Sequence, residues 1–457
     1  MKDLTKGNPA KVMLQFAVPV TLGNVFQLFY SLADTRIVGS ILGEKALAAV
    51  GATTSISTLF IGFLSGLTGG FALLTAKSYG AGEKDGVRRY SAGCLLLGTL
   101  TSLFLTLVCV GCLPVFLKLL NVPDDLLADA RSYILIILLG MIMTMLYNAC
   151  ANILRSVGDT AAPLLFLMGS SLLNIVLAIL FVLNFRMGVS GAALATVISQ
   201  SAAALLCLGY MIKRYPVFRF RLEDFHITKQ EVRELYSSGL SMAFMMSLVF
   251  FGTLSLQSVI NTFGTEIIVA HTAARKMTEF FMLPFSVMGI TMATFCSQNM
   301  GAGKGERIYQ GIRKALSITF IWSGAMILLS YTLSPFLIHL ITGSDSPGVL
   351  HTASSYLRIN SLFYMVAASI SIFRNALQGC GDHKTPVVSS FIELVGKVGI
   401  ALFLTPVFHY SGIIAAEPMV WIMMVIPLAI KIKRSGKEEG EKRYERTCNP
   451  GRNASLP

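Results

Sequence analysis

One carboxylate, Asp34, lies inside the otherwise apolar stretch FQLFYSLADTRIVGSILG of residues 26–43. A charge within such a membrane-length apolar segment costs about 2.5–3.5 kcal/mol on insertion scales, so a functional reason is expected for it. Because desolvation disfavours the ionised form, this carboxyl group can exchange a proton or attract a cation. The alternative is a structural role, either as a helix-end cap or as a partner of Arg36, although residues two apart do not face each other on a helix.

Among the other ionisable residues in apolar stretches, we single out Glu279, Glu393, Lys397 and Glu417. Glu393 and Lys397 are spaced i, i+4, so they can pair on one helix face, either structurally or as part of a proton or substrate site. Glu279 lies one turn after two basic residues, a spacing that favours a structural clamp. Glu417 has no obvious local partner, and we expect it to line a cavity.

The constellations of membrane-embedded enzymes and metal sites are missing from the sequence. It contains no His-Glu-x-x-His motif, no Gly-x-Ser-x-Gly motif in a suitable context and no cluster of histidines. The pair Cys109-Val-Gly-Cys112 has the spacing of a redox motif, but its position in an apolar run favours helix packing. We therefore expect neither an enzyme nor a bound cofactor or metal.

The composition indicates an all-α polytopic membrane protein. Of the 457 residues 54% are hydrophobic and 13% are charged, against roughly 25% charged in soluble proteins. Long apolar runs recur along the chain, and the alternating pattern of a barrel does not dominate. We predict twelve spans, at about 12–35, 46–76, 91–120, 130–154, 162–184, 190–212, 237–262, 266–296, 312–341, 352–376, 386–408 and 411–431.

Lysine and arginine concentrate in alternate connections between these spans. The connection 213–234 carries six of them, and the tail from Lys431 carries eight. By the positive-inside rule both termini are cytoplasmic in a multi-pass protein of the plasma membrane. The net charge of +13 is then explained by topology in the lipid bilayer, and we expect no nucleic-acid partner.

The two halves of the chain are related by an internal repeat. YGAGEKDGVRR (79–89) matches MGAGKGERIYQ (300–310) at an offset of 221 residues, and NILRSVGDTAAP (152–163) matches NALQGCGDHKTP (375–386). An even number of spans separates the halves, which makes them parallel repeats. At the offset of 221 residues, Asp34 aligns with Ser255, so only the first half has an acid at this position.

This repeat predicts a domain organisation in four parts. They are an N-terminal six-helix lobe (1–212), a cytoplasmic linker (213–235), a C-terminal six-helix lobe (236–432) and a disordered cytoplasmic tail (433–457).

The motifs together resemble the multidrug and toxic compound extrusion (MATE) family, in particular its DinF-like branch. The resemblance rests on Asp34-Thr-Arg-Ile-Val-Gly39, on LGEKALAAVG (42–51), on the paired Gly-Ala-Gly loops and on LRSVGDT (154–160). It implies a twelve-helix fold of two lobes around a central cavity. It also implies export of cationic amphiphilic compounds in exchange for H+ or Na+ by alternating access.

The resemblance assigns Asp34 as the coupling carboxylate of the first helix, with Tyr133, Asn174 and Thr196 as its partners. One departure is Ala178, which stands where the family has a second acid in the fifth helix. Another is the absence of acids from helices 7 and 10, where a different branch of the family carries them. These departures favour protons over Na+ as the coupling ion.

Two alternatives to this reading follow from the same sequence. A lipid-linked precursor flippase of the same superfamily would need a cavity rich in Arg and Lys, which helices 1, 4 and 5 do not offer. A membrane-embedded enzyme would need a catalytic motif or a metal-binding cluster of the kinds that the sequence lacks. Nothing in the twelve spans demands a partner, so we expect a monomer.

Overall fold

The computed structural model describes residues 3–120 and 122–448, apart from the side chains of residues 28–35, 38 and 437–448. The described chain folds into α-helices: α1 Pro9–Leu42, α2 Glu44–Ala81, α3 Lys84–Gly111, α4 Leu113–Leu119, α5 Asp124–Ser156, α6 Ala161–Ile179, α7 Gly188–Arg214, α8 Lys229–Ile260, α9 Thr265–Gly301, α10 Gly305–Thr342, α11 Pro347–Ser361, α12 Tyr364–Gly379, α13 Lys384–Gly399 and α14 Thr405–Cys448.

The helices account for the twelve predicted spans. Among the described residues, nine helical stretches are long and apolar enough to cross a membrane, and α11 with α12, bent by 54°, makes a tenth. One of the nine, Lys384–Gly436, is divided by His409, whose backbone is not helical (φ 50°, ψ −137°). The 34-residue helix α1 completes the set. Helices dominate because lipid offers no partner to an unpaired backbone N–H or C=O group.

The internal repeat is visible in the backbone itself. A short π-helical turn follows α6 at Leu180–Asn184, and another follows α13 at Ile400–Leu404. Arg186 and His409, at matching turns of the two halves, both have positive φ, 52° and 50°. The sequence repeat therefore reports a repeated fold.

Contacts divide the helices into two compact units, here called the N-unit (Leu14–Ser247) and the C-unit (Leu4–Met13 with the residues from Leu248). The division differs from the predicted lobes in two respects. It falls inside α8 rather than in the linker 213–235, and it places the N-terminal segment with the C-unit. Both differences arise from tertiary packing rather than from the local pattern of the sequence.

The first part of α8 belongs to the N-unit because small residues let it approach α2 closely. A Cβ atom added at Gly70 would lie 2.5 Å from the carbonyl oxygen of Ser238 and 2.6 Å from the Cα atom of Gly239. The hydroxyl of Ser238 donates a hydrogen bond of 2.7 Å to the carbonyl of Gly70. Such close backbone packing is a common way for helices to associate in membranes.

Gly70→Ala should destabilise the protein, because the new methyl group meets backbone atoms that cannot rotate away. Overpacking of this kind costs about 1–3 kcal/mol. Gly62→Ala, in the same helix, is the matched control, since nothing lies within 4 Å of its added Cβ atom. Thermal unfolding of the purified variants should show a lower midpoint for Gly70→Ala alone, and equal midpoints would contradict the close approach.

The N-terminal segment belongs to the C-unit because its carbonyl groups are bound there. Arg307 donates hydrogen bonds to the carbonyl oxygens of Leu4, Lys6 and Gly7, the last at 2.7 Å. The backbone N–H of Leu4 donates to the side-chain oxygen of Gln298 at 3.0 Å, and Leu4 is fully buried. This docking is a long-range contact that no local pattern in the sequence indicates.

The connection between α7 and α8 is fastened to α3 by an ion pair. Arg88 donates to the carboxylate of Asp224 at 2.6 Å, and the backbone N–H of Arg221 donates to the same carboxylate at 2.6 Å. Burial by itself would raise the pKa of Asp224, but these two donors outweigh it and hold the pKa below its ordinary value.

Asp224 should therefore make a pH-dependent contribution to stability. A carboxyl group whose pKa is lowered by folding stabilises the folded state above its unfolded pKa of about 4, and this contribution is lost as the pH falls through the lowered folded value. Asp224→Asn should reduce the unfolding midpoint at pH 7, and its difference from the wild type should shrink below pH 4. The exposed neighbour Glu223 supplies the control Glu223→Gln. A difference that stays constant from pH 7 to pH 3 would rule out this linkage.

The last helix extends further than the sequence analysis expected. The backbone of α14 is helical as far as Cys448, whereas a disordered tail was predicted from residue 433. The tail 433–457 stays a prediction, and the structure describes a helical backbone for residues 433–448 of it.

Candidate functional site

Asn174 and Thr196, two of the predicted partners of Asp34, are brought together in the N-unit. Asn174 lies on α6 with 1% of its surface exposed, and its side-chain N–H donates to the hydroxyl of Thr196 on α7 at 3.1 Å. That hydroxyl in turn donates to the carbonyl of Ala192 at 3.1 Å. The two helices are thus joined by a short polar chain within an apolar environment.

Tyr133, the third predicted partner, lies on α5 beside the same part of α7. It is half-buried and packs against a small apolar cluster that includes Ala192, Val189 and Val182. Because Ala192 also accepts the hydrogen bond of Thr196, the three predicted partners share one neighbourhood of the N-unit.

The backbone of Asp34 lies in α1, but its side chain is outside the described residues. One feature of its predicted partners is nevertheless informative. The side-chain oxygen of Asn174 is buried and accepts no hydrogen bond from the described part of the chain. A buried acceptor without a donor costs about 1–3 kcal/mol, so a donor is expected there. Ala178, one turn further along α6, is fully buried and supplies none.

The predicted pair of Glu393 and Lys397 is present on α13 of the C-unit. The ammonium of Lys397 donates to one carboxylate oxygen of Glu393 at 2.9 Å and to the hydroxyl of Thr253 at 3.3 Å. Arg374 approaches the other oxygen of Glu393 at 3.4 Å. Both members of the pair are about 95% buried, and the sequence analysis did not foresee Arg374 as a third member.

Glu417 has partners from distant parts of the chain. Arg275 on α9 forms an ion pair with it, and the hydroxyl of Tyr356 on α11 donates to its second oxygen at 2.9 Å. The absence of a local partner is thus explained by two partners that are 142 and 61 residues away. The sequence carries one signal for this site, because Tyr356 aligns with Tyr133 at the offset of 223 residues that relates 152–163 to 375–386.

The clamp expected at Glu279 forms only in part. Its carboxylate lies 3.4 Å from the ammonium of Lys276, and both side chains are more than half exposed. Arg275 turns instead toward Glu417, because a buried carboxylate competes for it more strongly than an exposed one. Glu279 is therefore separate from the polar network of the C-unit.

Glu417 and Lys397 line one narrow cleft in the C-unit. Its other polar lining includes Arg275, His271 and Gln257. His271 is 95% buried, and one ring nitrogen lies 3.1 Å from the hydroxyl of Tyr410. Sequence reasoning had not singled out Arg275 or His271 as site residues, because their role depends on how α9 packs against α14.

The polar side chains of both regions are paired with one another. Within residues 3–120 and 122–448 there is no group of three or more His, Cys, Asp or Glu side chains that could hold a metal ion. The polar groups instead form charge pairs and hydrogen-bonded chains inside helix bundles, which is typical of proteins that move solutes.

Comparison with known families explains this arrangement. The MatE profile matches residues 19–180 and 241–403, one match in each half of the internal repeat. The chain belongs to the MATE family of transporters. The resemblance seen in the sequence motifs is thereby confirmed, as is the expectation that the protein is not an enzyme.

Relatives named as probable multidrug resistance proteins match most of the chain. The probable multidrug resistance protein YpnP of Bacillus subtilis is 26% identical over 430 residues, which is 90% of this chain and 94% of the relative. The probable multidrug resistance protein NorM of Thermotoga maritima is 23% identical, with 92% and 90% covered.

Solved MATE structures share the fold. The crystal structure of MATE in the bent conformation superposes with a TM-score of 0.87 at 23% identity, covering 96% of this chain and 98% of the other. The Vibrio cholerae MATE transporter VcmN gives a TM-score of 0.87 at 19% identity, with 94% and 97% covered. The predicted two-lobe fold of twelve helices is confirmed.

Proposed function

We propose that this MATE transporter exports cationic amphiphilic compounds in exchange for protons by alternating access. The observation that carries the proposal is the polar chain of Asn174 and Thr196, whose buried acceptor lacks a donor in the described part of the chain. A protonated Asp34 would supply such a donor, and an ionised Asp34 would attract a cation instead. If proton and substrate exclude each other at Asp34, their coupled exchange follows.

The C-unit supports protons rather than Na+ as the coupling ion. Na+ prefers oxygen ligands with net negative charge, but the buried carboxylates of Glu393 and Glu417 are already bound by basic side chains. Asp34 is the other acid that the sequence analysis expects to act inside an apolar stretch. We therefore assign it the titrating role, with Tyr133, Asn174 and Thr196 as its neighbours and with Na+ as the alternative ion.

The flippase alternative is disfavoured by the charge of the cleft. A pyrophosphate group carries two or more negative charges and needs several cations that are free to bind it. In the C-unit the basic groups of Arg275, Arg374 and Lys397 are largely balanced by two carboxylates. The protein in this proposal is a monomer in the plasma membrane, with both termini in the cytoplasm.

Ethidium efflux from proteoliposomes tests the proposal directly. Proteoliposomes that contain the purified wild type are loaded with ethidium. A pH gradient is then imposed in one experiment and a Na+ gradient in another. We expect the pH gradient to accelerate efflux and the Na+ gradient to leave it at the rate of empty liposomes. Efflux driven by the Na+ gradient alone would show that the coupling ion is Na+ rather than H+. No efflux under either gradient would refute the export of cationic compounds.

A further inference from the structure

A groove with apolar walls lies between α13 and α14 in the C-unit. Its volume is about 460 Å³, which is within the range of about 300–1,000 Å³ found for ligand pockets. Among the side chains that line it, Phe391, Val395 and Phe403 are each more than half exposed, so the groove is open along one side. Because both helices lie in a membrane-spanning stretch, this open side faces hydrocarbon.

Two glycines of α13 shape the groove. A Cβ atom added at Gly396 would lie 2.8 Å from the side chain of Val420 and 3.2 Å from that of Met423, so α14 approaches α13 closely at this point. Nearly one turn later, nothing lies within 4 Å of a Cβ atom added at Gly399, which also lines the groove. The internal repeat aligns these glycines with the stretch LNIVLA of residues 173–178, which contains no glycine. The groove is therefore not a feature that the repeated fold requires.

The register of α13 against α14 shows which residues lie beyond the end of the groove. The hydroxyl of Ser389 donates to the carbonyl of Met424 at 3.2 Å, and the ammonium of Lys431 lies 3.9 Å from the carboxylate of Asp382. The two helices are thus antiparallel, and the start of α13 lies beside the later part of α14. In the proposed orientation this is the cytoplasmic end of both helices.

Basic side chains continue the helix faces that line the groove toward this end. On α13, Lys384 precedes Phe391 by seven residues and Val395 by eleven, spacings that place all three on one face. On α14, Arg434 follows Met423 by eleven residues and shares its face in the same way. Both basic side chains are exposed, and among the described residues neither has a carboxylate partner within 4 Å.

We propose that this groove is a binding site for one anionic phospholipid of the cytoplasmic leaflet. An acyl chain lies in the groove against Gly399, and the phosphate is bound by Lys384 and Arg434, which supply charge-assisted hydrogen bonds. The bound chain fills the space between α13 and α14, so it stabilises their packing. The site is on a different face of α13 from the buried pair of Glu393 and Lys397, and it depends neither on the coupling ion nor on the exported compound.

Native mass spectrometry of the full-length protein in detergent tests the head-group part of the site. The protein is titrated with phosphatidylglycerol, which has a net negative charge, and with phosphatidylcholine of the same acyl chains, which has none. We expect the wild type to bind one phosphatidylglycerol about tenfold more tightly than phosphatidylcholine. Lys384→Gln with Arg434→Gln should weaken phosphatidylglycerol binding by roughly thirtyfold, because each basic residue near an anionic head group contributes about fivefold to the affinity.

A second double variant controls for the loss of charge. Lys314→Gln with Lys433→Gln also removes two exposed basic residues of the C-unit, but neither lies on the faces that line the groove, so it should leave the affinity for phosphatidylglycerol unchanged. Equal affinities of the wild type for the two lipids would overturn the phosphate site. Equal losses in the two double variants would overturn it as well.

Gly399→Leu tests the part of the site that holds the acyl chain. The larger side chain occupies the groove and should weaken the binding of both lipids, and added phosphatidylglycerol should then no longer raise the unfolding midpoint. Gly324→Leu on α10 is the matched control, since nothing lies within 4 Å of a Cβ atom added there either. Unchanged lipid binding by Gly399→Leu would show that the groove is not the site.

Two further outcomes of the same spectra decide the proposal. A second copy of the chain is the other occupant that an apolar face could have, and dimers that Gly399→Leu separates into monomers would overturn the lipid site. If Gly399→Leu does not fold, the exposed residues Lys384 and Arg434 still provide the test. An unchanged affinity for phosphatidylglycerol after their replacement would then refute the proposal.

Discussion

Proton-driven ethidium efflux should fall to the rate of empty liposomes in Asp34→Asn, whereas ethidium binding should persist. The amide matches the carboxyl group in size but cannot release a proton in the physiological range, so it cannot alternate between proton and cation. Binding persists because the apolar walls of a multidrug cavity supply most of the affinity. Efflux in proteoliposomes and ethidium polarisation measure the two properties separately.

The control for Asp34→Asn is an acid at the end of a helix in the same unit. Asp125→Asn removes an exposed carboxylate that lies 3.7 Å from Lys45, and it should leave efflux unchanged. Normal transport by Asp34→Asn would show that this acid is structural. The coupling group would then have to be sought in the C-unit, at Glu417 or at the pair of Glu393 and Lys397.

Arg275→Met should destabilise the protein by about 3–5 kcal/mol, the range found when one member of a buried ion pair is removed. The reason is that Glu417, with 5% of its surface exposed, would keep a buried charge whose main counter-ion is gone. The hydrogen bond from Tyr356 satisfies one oxygen but does not neutralise the charge. The unfolding midpoint of the detergent-purified protein is the measurement.

Two comparison variants show whether the effect comes from the lost pair. Lys276→Met changes the adjacent, exposed lysine and should alter stability by no more than about 0.5 kcal/mol. The double variant Arg275→Met with Glu417→Gln removes both charges and should recover much of the loss, because an unpaired charge is costlier than a missing pair. An Arg275→Met protein as stable as Lys276→Met would show that the pair contributes little.

Hydropathy and the internal repeat by themselves determined the number of spans and the two-lobe fold. This was possible because the bilayer forces each span to be a helix of sufficient length, whatever its neighbours are. The pairing of Glu393 with Lys397 was also predictable, since both residues lie one turn apart on one helix. The assignment of Asp34 and its three partners came from family motifs and stays a prediction.

Tertiary structure alone decided which charges meet and where the units divide. Arg275 and Glu417 are 142 residues apart, so their pairing depends on how α9 packs against α14. The close approach of Gly70 to Gly239 draws the start of α8 into the N-unit. Periodicity records which residues share one face of a helix, but it carries no record of which other helix that face will meet.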